Sequence, residues 1–237
     1  MKHIVLRLAL ILITVTVSGT AMAAEATLQQ VVDTLEKGYA KLNDLHASFQ
    51  QTTVLAGFPK PQKGQGEVWL RRPAQATAQF RFDYSQPKQQ IISNGKQVWF
   101  YQPESRQVIV TSLDGMMKGG NSVAMAYLTG LGNVSQEFQV AFAKQQQDKQ
   151  GNYQLELTPR KASPVLAKLR LTIKAEAVDA YQADGQAKEP FPVLSSVVVD
   201  GSGTETRISY TKVYTNNGLS ASKFTFKVPQ GVEIIKP

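Results

Sequence analysis

The chain has 237 residues, a formal net charge of +8 from 26 Lys and Arg against 18 Asp and Glu, and no cysteine. The missing cysteine excludes a disulfide framework, a thiol nucleophile, thiolate metal sites and a lipid anchor on a processed N-terminal cysteine. The basic residues are scattered, with no run longer than Arg71-Arg72 or Arg160-Lys161. That pattern reads as a solvated surface with a weak attraction for membrane or acidic partners, not as a nucleic-acid stripe.

Lys2 and Arg7, the apolar run Leu8 to Val17 and the small-x-small triplet Ala21-Met22-Ala23 form a signal-peptide pattern, 1–23, with cleavage expected after Ala23. The run is shorter than the roughly 20 apolar residues a spanning helix needs. Export argues against nucleic acid as a partner, and 24–237 reads as a single domain.

A helix is predicted next. Thr27 caps it with Gln30 three residues on, and Leu28, Val31, Val32, Leu35, Tyr39 and Leu42 recur at helical spacing until Asn43-Asp44. The period then changes to two at Leu45, Ala47 and Phe49, the first strand. Gly57 to Gly66, rich in Pro, Lys and Gly, reads as a loop. Strands are expected at Glu67 to Arg71, Gln79 to Tyr84, Gln89 to Ile92, Gln97 to Tyr101 and Arg106 to Thr111. The sequence Ser93-Asn94-Gly95-Lys96 makes a hairpin between two of them. A short second helix, apolar nearly all round, is expected between Asn121 and Gly130 or Gly132. Strands resume at Phe138 to Phe142, Tyr153 to Thr158, Leu166 to Lys174, Val193 to Asp200, Glu205 to Val213 and Phe224 to Lys227. The middle of Ala175 to Pro192, charged and Pro-bearing, reads as a loop. A sheet of ten or eleven strands is too large to stay flat, so it should curl into a barrel or part of one.

Little catalytic chemistry is visible. His46 is the single histidine after the signal segment, and it falls on the polar face of a strand. Gly64-Gln65-Gly66 and Gly130-Leu131-Gly132 do not extend into a dinucleotide fingerprint, and no phosphate loop is present. Two carboxylates of the glycosidase kind need not be neighbours in sequence, so a secreted hydrolase stays open as a reading.

Four blocks resemble the LolA family of periplasmic lipoprotein carriers. They are His46-Ala47-Ser48-Phe49-Gln50-Gln51; Gly64-Gln65-Gly66-Glu67-Val68-Trp69-Leu70-Arg71-Arg72-Pro73; Ile91 to Pro103 with its Gly95-Lys96 and Trp99-Phe100-Tyr101; and Lys223-Phe224-Thr225-Phe226-Lys227-Val228-Pro229-Gln230-Gly231-Val232. They stand in the family's order behind a signal peptide and an amphipathic helix. Departures are a longer segment at Ala74 to Ala78, an apparent insertion at Tyr181 to Pro192 and an alanine-rich second helix. The resemblance implies a mainly β protein: an incomplete, half-open antiparallel β-barrel of about eleven strands with a helical lid. It also implies a non-enzymatic, cofactor-free monomer of the periplasm. Such a protein takes lipoprotein acyl chains from an inner-membrane lipoprotein-releasing ABC transporter and delivers them to an outer-membrane lipoprotein acceptor. On that reading Val31, Leu35, Trp69, Phe80, Phe82, Tyr84, Trp99, Met125, Tyr127 and Leu128 line the lipid cavity. The alternative for the same residues is a sealed β core. The family match makes Arg72, the second basic residue before Pro73, the latch that holds the lid by hydrogen bonds to carbonyls. A lipid- or peptide-sensing regulatory module of the same half-barrel fold is the competing function.

Overall fold

The structure, a computed structural model, describes residues 25–74, 77–118, 131–162 and 166–236. The expected signal peptide and the expected second helix at 121–130, with Met125, Tyr127 and Leu128, lie outside the described residues.

Helix α1 (Leu28–Ala40) starts where the capping box placed it: the Thr27 hydroxyl accepts from Gln30 N at 3.3 Å, and Gln30 Oε1 accepts from Thr27 N at 2.9 Å. It stops at Ala40, earlier than Asn43-Asp44, because Asp44 already belongs to the sheet. Twelve strands follow: β1 (Asp44–Leu55), β2 (Phe58–Arg71), β3 (Gln79–Gln86), β4 (Gln89–Ser93), β5 (Gln97–Gln102), β6 (Gln107–Ser112), β7 (Phe138–Gln147), β8 (Tyr153–Pro159), β9 (Lys168–Ile173), β10 (Val193–Val199), β11 (Glu205–Thr215) and β12 (Glu233–Ile235). They form one sheet in the order β12-β6-β5-β4-β3-β2-β1-β11-β10-β9-β8-β7. Neighbours are antiparallel except β12, which pairs parallel to β6. The edge strands β12 and β7 do not pair with each other, so the barrel is open. Short helices α2 (Leu113–Lys118), α3 (Val134–Glu137) and α4 (Ala175–Asp184) accompany it.

Three stretches differ from the sequence reading, and α2, α3 and β12 are additional to it. The Pro- and Lys-rich stretch is strand, because β1 continues to pair with it at Thr53↔Gln62 and Leu55↔Phe58. The region read as a loop after Lys174 is the helix α4, closed by Gly185 at φ 70°. Phe224 to Lys227 is not a strand: a 3-10 turn at Ala221–Phe224 leads into a segment laid across the outer face of the sheet. Asp44 anchors that segment. Its buried carboxylate accepts from Asn217 N and Gly218 N at 2.9 Å each and from Leu219 N at 3.2 Å.

Gly66 shows how tightly the sheet is drawn together at its centre. It lies between Phe49 on β1 and Tyr84 on β3, whose rings meet edge-on at 4.8 Å. A Cβ there would overlap the Asp83 carbonyl oxygen and lie 2.8 Å from Tyr84 Cα. Gly66→Ala should therefore destabilise the fold by about 1–3 kcal/mol, read as a lower urea midpoint at unchanged slope.

Candidate functional site

The inner face of the sheet is a continuous apolar surface because each strand alternates. Val68 and Leu70 of β2 point inward with Phe80, Phe82 and Tyr84 of β3; Phe82 stands opposite Val68 and Ile91, and Ile91 opposite Phe100. On the other half Leu155, Leu157, Leu169, Leu171, Ile173, Ile208 and Tyr210 continue it. Helix α1 lies in the same buried cluster with Val31, Val32, Leu35 and Tyr39. Of the expected cavity residues, Val31, Leu35, Phe80, Phe82 and Tyr84 thus come together. The first four are 0–1% exposed, so this part of the interior is closed. Phe100, Tyr153, Phe191 and Tyr210 belong to the cluster or pack on it and were not picked out in the sequence, although Tyr153-x-Leu155-x-Leu157 carries the same alternation.

Trp69 and Trp99 are elsewhere. Their neighbours Val68, Leu70 and Val98 take the inward places, which turns both indoles to the outer face. There they meet the C-terminal segment. Lys223 Nζ sits 3.6 Å from the centre of the Trp69 ring, and Phe226 packs on Trp99 and Tyr101 at 6.3 and 5.3 Å. Burial and the neighbouring Arg81 lower the pKa of Lys223. The expectation that both tryptophans line the inner cavity is therefore corrected: an aromatic was assigned inward, but a cover on the outer face gives it an equally dry place there. His46 joins the outer group, stacked on Trp69 at 4.9 Å and hydrogen-bonded to Glu67 at 2.7 Å.

Polar contacts fasten α1 at its C-terminal end, along its flank and at Glu36, which accepts from Ser135 N at 2.8 Å. Arg72, just past the end of β2, donates through Nη1 to the Tyr39 carbonyl and, at 3.2 Å, to the Leu42 carbonyl. Its guanidinium also lies 4.4 Å from the centre of the Tyr39 ring. These carbonyls close the negative end of the helix, where a cation is favoured. Arg71 turns instead to Gln79, at 3.1 Å. On the flank of α1, the Tyr181 hydroxyl of α4 donates to Asp33 at 2.8 Å and accepts from Lys37 at 2.5 Å, while Lys37 pairs with Asp33 at 2.8 Å. Lys41 donates to the Ala187 carbonyl at 2.6 Å. Gly38 permits this approach, since a Cβ there would stand 2.5 Å from the Glu189 carbonyl oxygen. Burial works to raise the pKa of Asp33, but hydrogen bonds from Lys37, Gln29 and Tyr181 outweigh it and hold the carboxyl below its usual range. The Tyr181 to Pro192 region is thus the strap on α1.

Grooves on the outside mix polar and apolar surface. One of about 600 Å³ crosses β7 to β11 between Glu156, Arg170, Thr172, Ser195 and Arg207. Among the described residues no group of three or more His, Asp and Glu side chains converges as a metal site.

An open sheet that keeps an apolar face under a polar-fastened helix defines a half-barrel with a covered interior. A crystal structure of an uncharacterised conserved protein of Thermus thermophilus shares this fold at a TM-score of 0.50 and 13% identity, over 88% of this chain and 98% of that one. The family described as outer membrane lipoprotein carrier protein LolA matches residues 40–190, and the chain belongs to it. It is similar to the outer-membrane lipoprotein carrier protein of Azotobacter vinelandii, 28% identical over 91% of both chains. The protein of that name in Pseudomonas paraeruginosa is 28% identical over 92% of this chain and 93% of its own.

The strap can be tested apart from any cargo. Tyr181→Phe removes both hydroxyl contacts and should lower the protection of α1 amides against hydrogen exchange by about 1 kcal/mol, with the β8–β9 amides unchanged. Acid should loosen the same helix. The folded Asp33 carboxyl titrates below the roughly 3.9 of an unfolded chain, so its contribution is complete at neutral pH and fades as pH falls below about 4.

Proposed function

We propose that this protein is a periplasmic carrier that shelters the acyl chains of lipoproteins between two membranes. It would take them from a lipoprotein-releasing ABC transporter in the inner membrane and yield them to an outer-membrane acceptor, as a monomer and without a cofactor. The observation that carries the reading is the closure of an open apolar sheet by one amphipathic helix held through Arg72.

The physical task sets the design. Each acyl methylene left in water costs about 0.8 kcal/mol, so a carrier must bury many of them and still release them. Val31 and Leu35 are packed on the sheet in the shut form, so α1 has to lift for chains to lie against Phe80, Phe82 and Tyr84. The contacts of Arg72 exist only in the shut, empty form. They subtract from the affinity for cargo, because binding must first break them, and the same free energy returns at handover.

Arg72→Leu removes that bias, worth about 2 kcal/mol for charge-assisted hydrogen bonds. The variant should take up lipoprotein normally or more tightly and transfer it to the acceptor at least several-fold less well. Transfer at the unaltered rate would refute the latch. Photo-crosslinkers at Leu35 and Phe82 should capture acyl chains, whereas one at Trp69, on the outer face, should not. Capture at neither Leu35 nor Phe82 would make these residues plain core. Mass spectrometry of the protein purified from the periplasm should find co-purified lipid or acylated protein.

A further inference from the structure

On its β3 side the hairpin of β1 and β2 runs on beyond its neighbour, while β11 accompanies β1 as far as Val54↔Glu205. Pairing of β3 with β2 ends at Gln65↔Gln86, so Phe58 to Gly64 project past β3. The tip is the two-residue turn Ala56-Gly57, with Gly57 at φ 79° and nothing within 4 Å of where a Cβ would stand. Next to it Phe58 is 68% exposed, the most exposed large apolar side chain among the described residues. Leu55 stands opposite Phe58, half-buried, and Val54 beside it is half-buried too. The register of β1 on β2 shifts between Thr53 and Leu55, so the tip is set off from the regular pairing of Phe49, Gln51 and Thr53.

The charges around this tip have one sign to spare. Lys60 and Lys63 on β2 and Lys88 on the adjoining β3–β4 turn are exposed, and among the described residues none has a carboxylate partner. Of the nearby acids, Glu205 pairs with Arg170 at 3.2 Å, and Asp200, which keeps its charge while accepting from Ser202 and Thr204 within its own turn, is outnumbered by the three lysines. A strand from another protein is a poor occupant of the free β2 edge, since the prolines at 59 and 61 have no N–H to offer it. An aromatic tip with unpaired lysines set back along the same hairpin and the adjoining turn suits a bilayer surface instead: the ring enters the headgroup boundary, the lysine stems lie along it, and the ammonium groups meet anionic headgroups.

We propose that the β1–β2 hairpin tip docks the protein on anionic membrane surfaces, with Phe58 as the inserted side chain and Lys60, Lys63 and Lys88 as the headgroup contacts. This property belongs to the empty protein and stands or falls apart from acyl-chain carriage.

The test is co-sedimentation of the cargo-free protein with vesicles of phosphatidylcholine containing phosphatidylglycerol, against vesicles of phosphatidylcholine alone. Binding is expected for the anionic vesicles only. Phe58→Ser should weaken it about tenfold, as loss of one buried aromatic does. Lys60→Glu with Lys63→Glu should weaken it at least as much at low ionic strength, and the difference should shrink as salt rises. Phe58→Trp, which keeps the apolar tip, should bind and shift its emission to the blue with anionic vesicles. The proposal is overturned by absence of binding in the unaltered protein, by a Phe58→Ser variant that binds undiminished, or by a Phe58→Trp variant whose emission stays put while the protein sediments. A dimer abolished by Phe58→Ser, without vesicle binding, would assign the tip to a second copy of this chain and overturn it equally.

Discussion

A twelve-stranded sheet that curls without closing leaves an apolar inner face that must be covered, and everything else in this molecule answers to that constraint. Two covers are used, and they are attached in different ways. The outer face over β3 to β6 is sealed by the C-terminal segment, which buries Phe224 completely, lays Phe226 on Trp99 and hangs on the buried Asp44 carboxylate. The inner face is covered by α1, whose fastenings are polar groups: Arg72 at its C-terminal end and, along its flank, the buried Tyr181 with the partly exposed Asp33 and Lys37. Contacts of the first kind are costly to break, because an unsatisfied buried charge would result. Those of the second kind join groups that lie partly in water, as Asp33 and Lys37 do, and solvent can satisfy part of what they give up. The chemistry of attachment therefore differs between the two covers.

This division makes sense of the aromatic distribution. Phe80, Phe82 and Tyr84 stand under α1, while Trp69, Trp99 and Tyr101 stand under the C-terminal segment. In the second half of the sheet the outer face is solvated, and there it carries ion pairs such as Lys168–Glu156 at 2.8 Å in place of rings.

Much of this was legible in the amino-acid sequence. The capping box at Thr27, the hairpin at Asn94-Gly95 and the alternation of the main strands are local features, governed by contacts within a few residues. Three things were not local. The start of β2 is built of residues that avoid strands, and only the partner β1 holds it there. Helix α4 buries just Ala177, Val178 and Tyr181, too short a stripe to show a period, and its stability comes from the α1 flank. The side on which Trp69 and Trp99 lie follows from where the last residues of the chain cross the sheet, and strand parity is silent on that. The position of Arg72 beside Pro73 was suggested by family resemblance alone; its bond to the Tyr39 carbonyl needed the fold.

The placing of β1 has a consequence for how the molecule is made. Although first among the strands, it lies in the middle of the sheet, with β2 on one side and β11 on the other. Thr53 and Thr206, which bond across that seam, are 153 residues apart in the chain. The meander from β1 to β6 can assemble from neighbours, and so can the one from β7 to β11, but the two halves join only when β11 arrives. Closing so long a loop is entropically slow. Completion of the sheet is thereby deferred until nearly the whole polypeptide is available, although each half can begin to form before then.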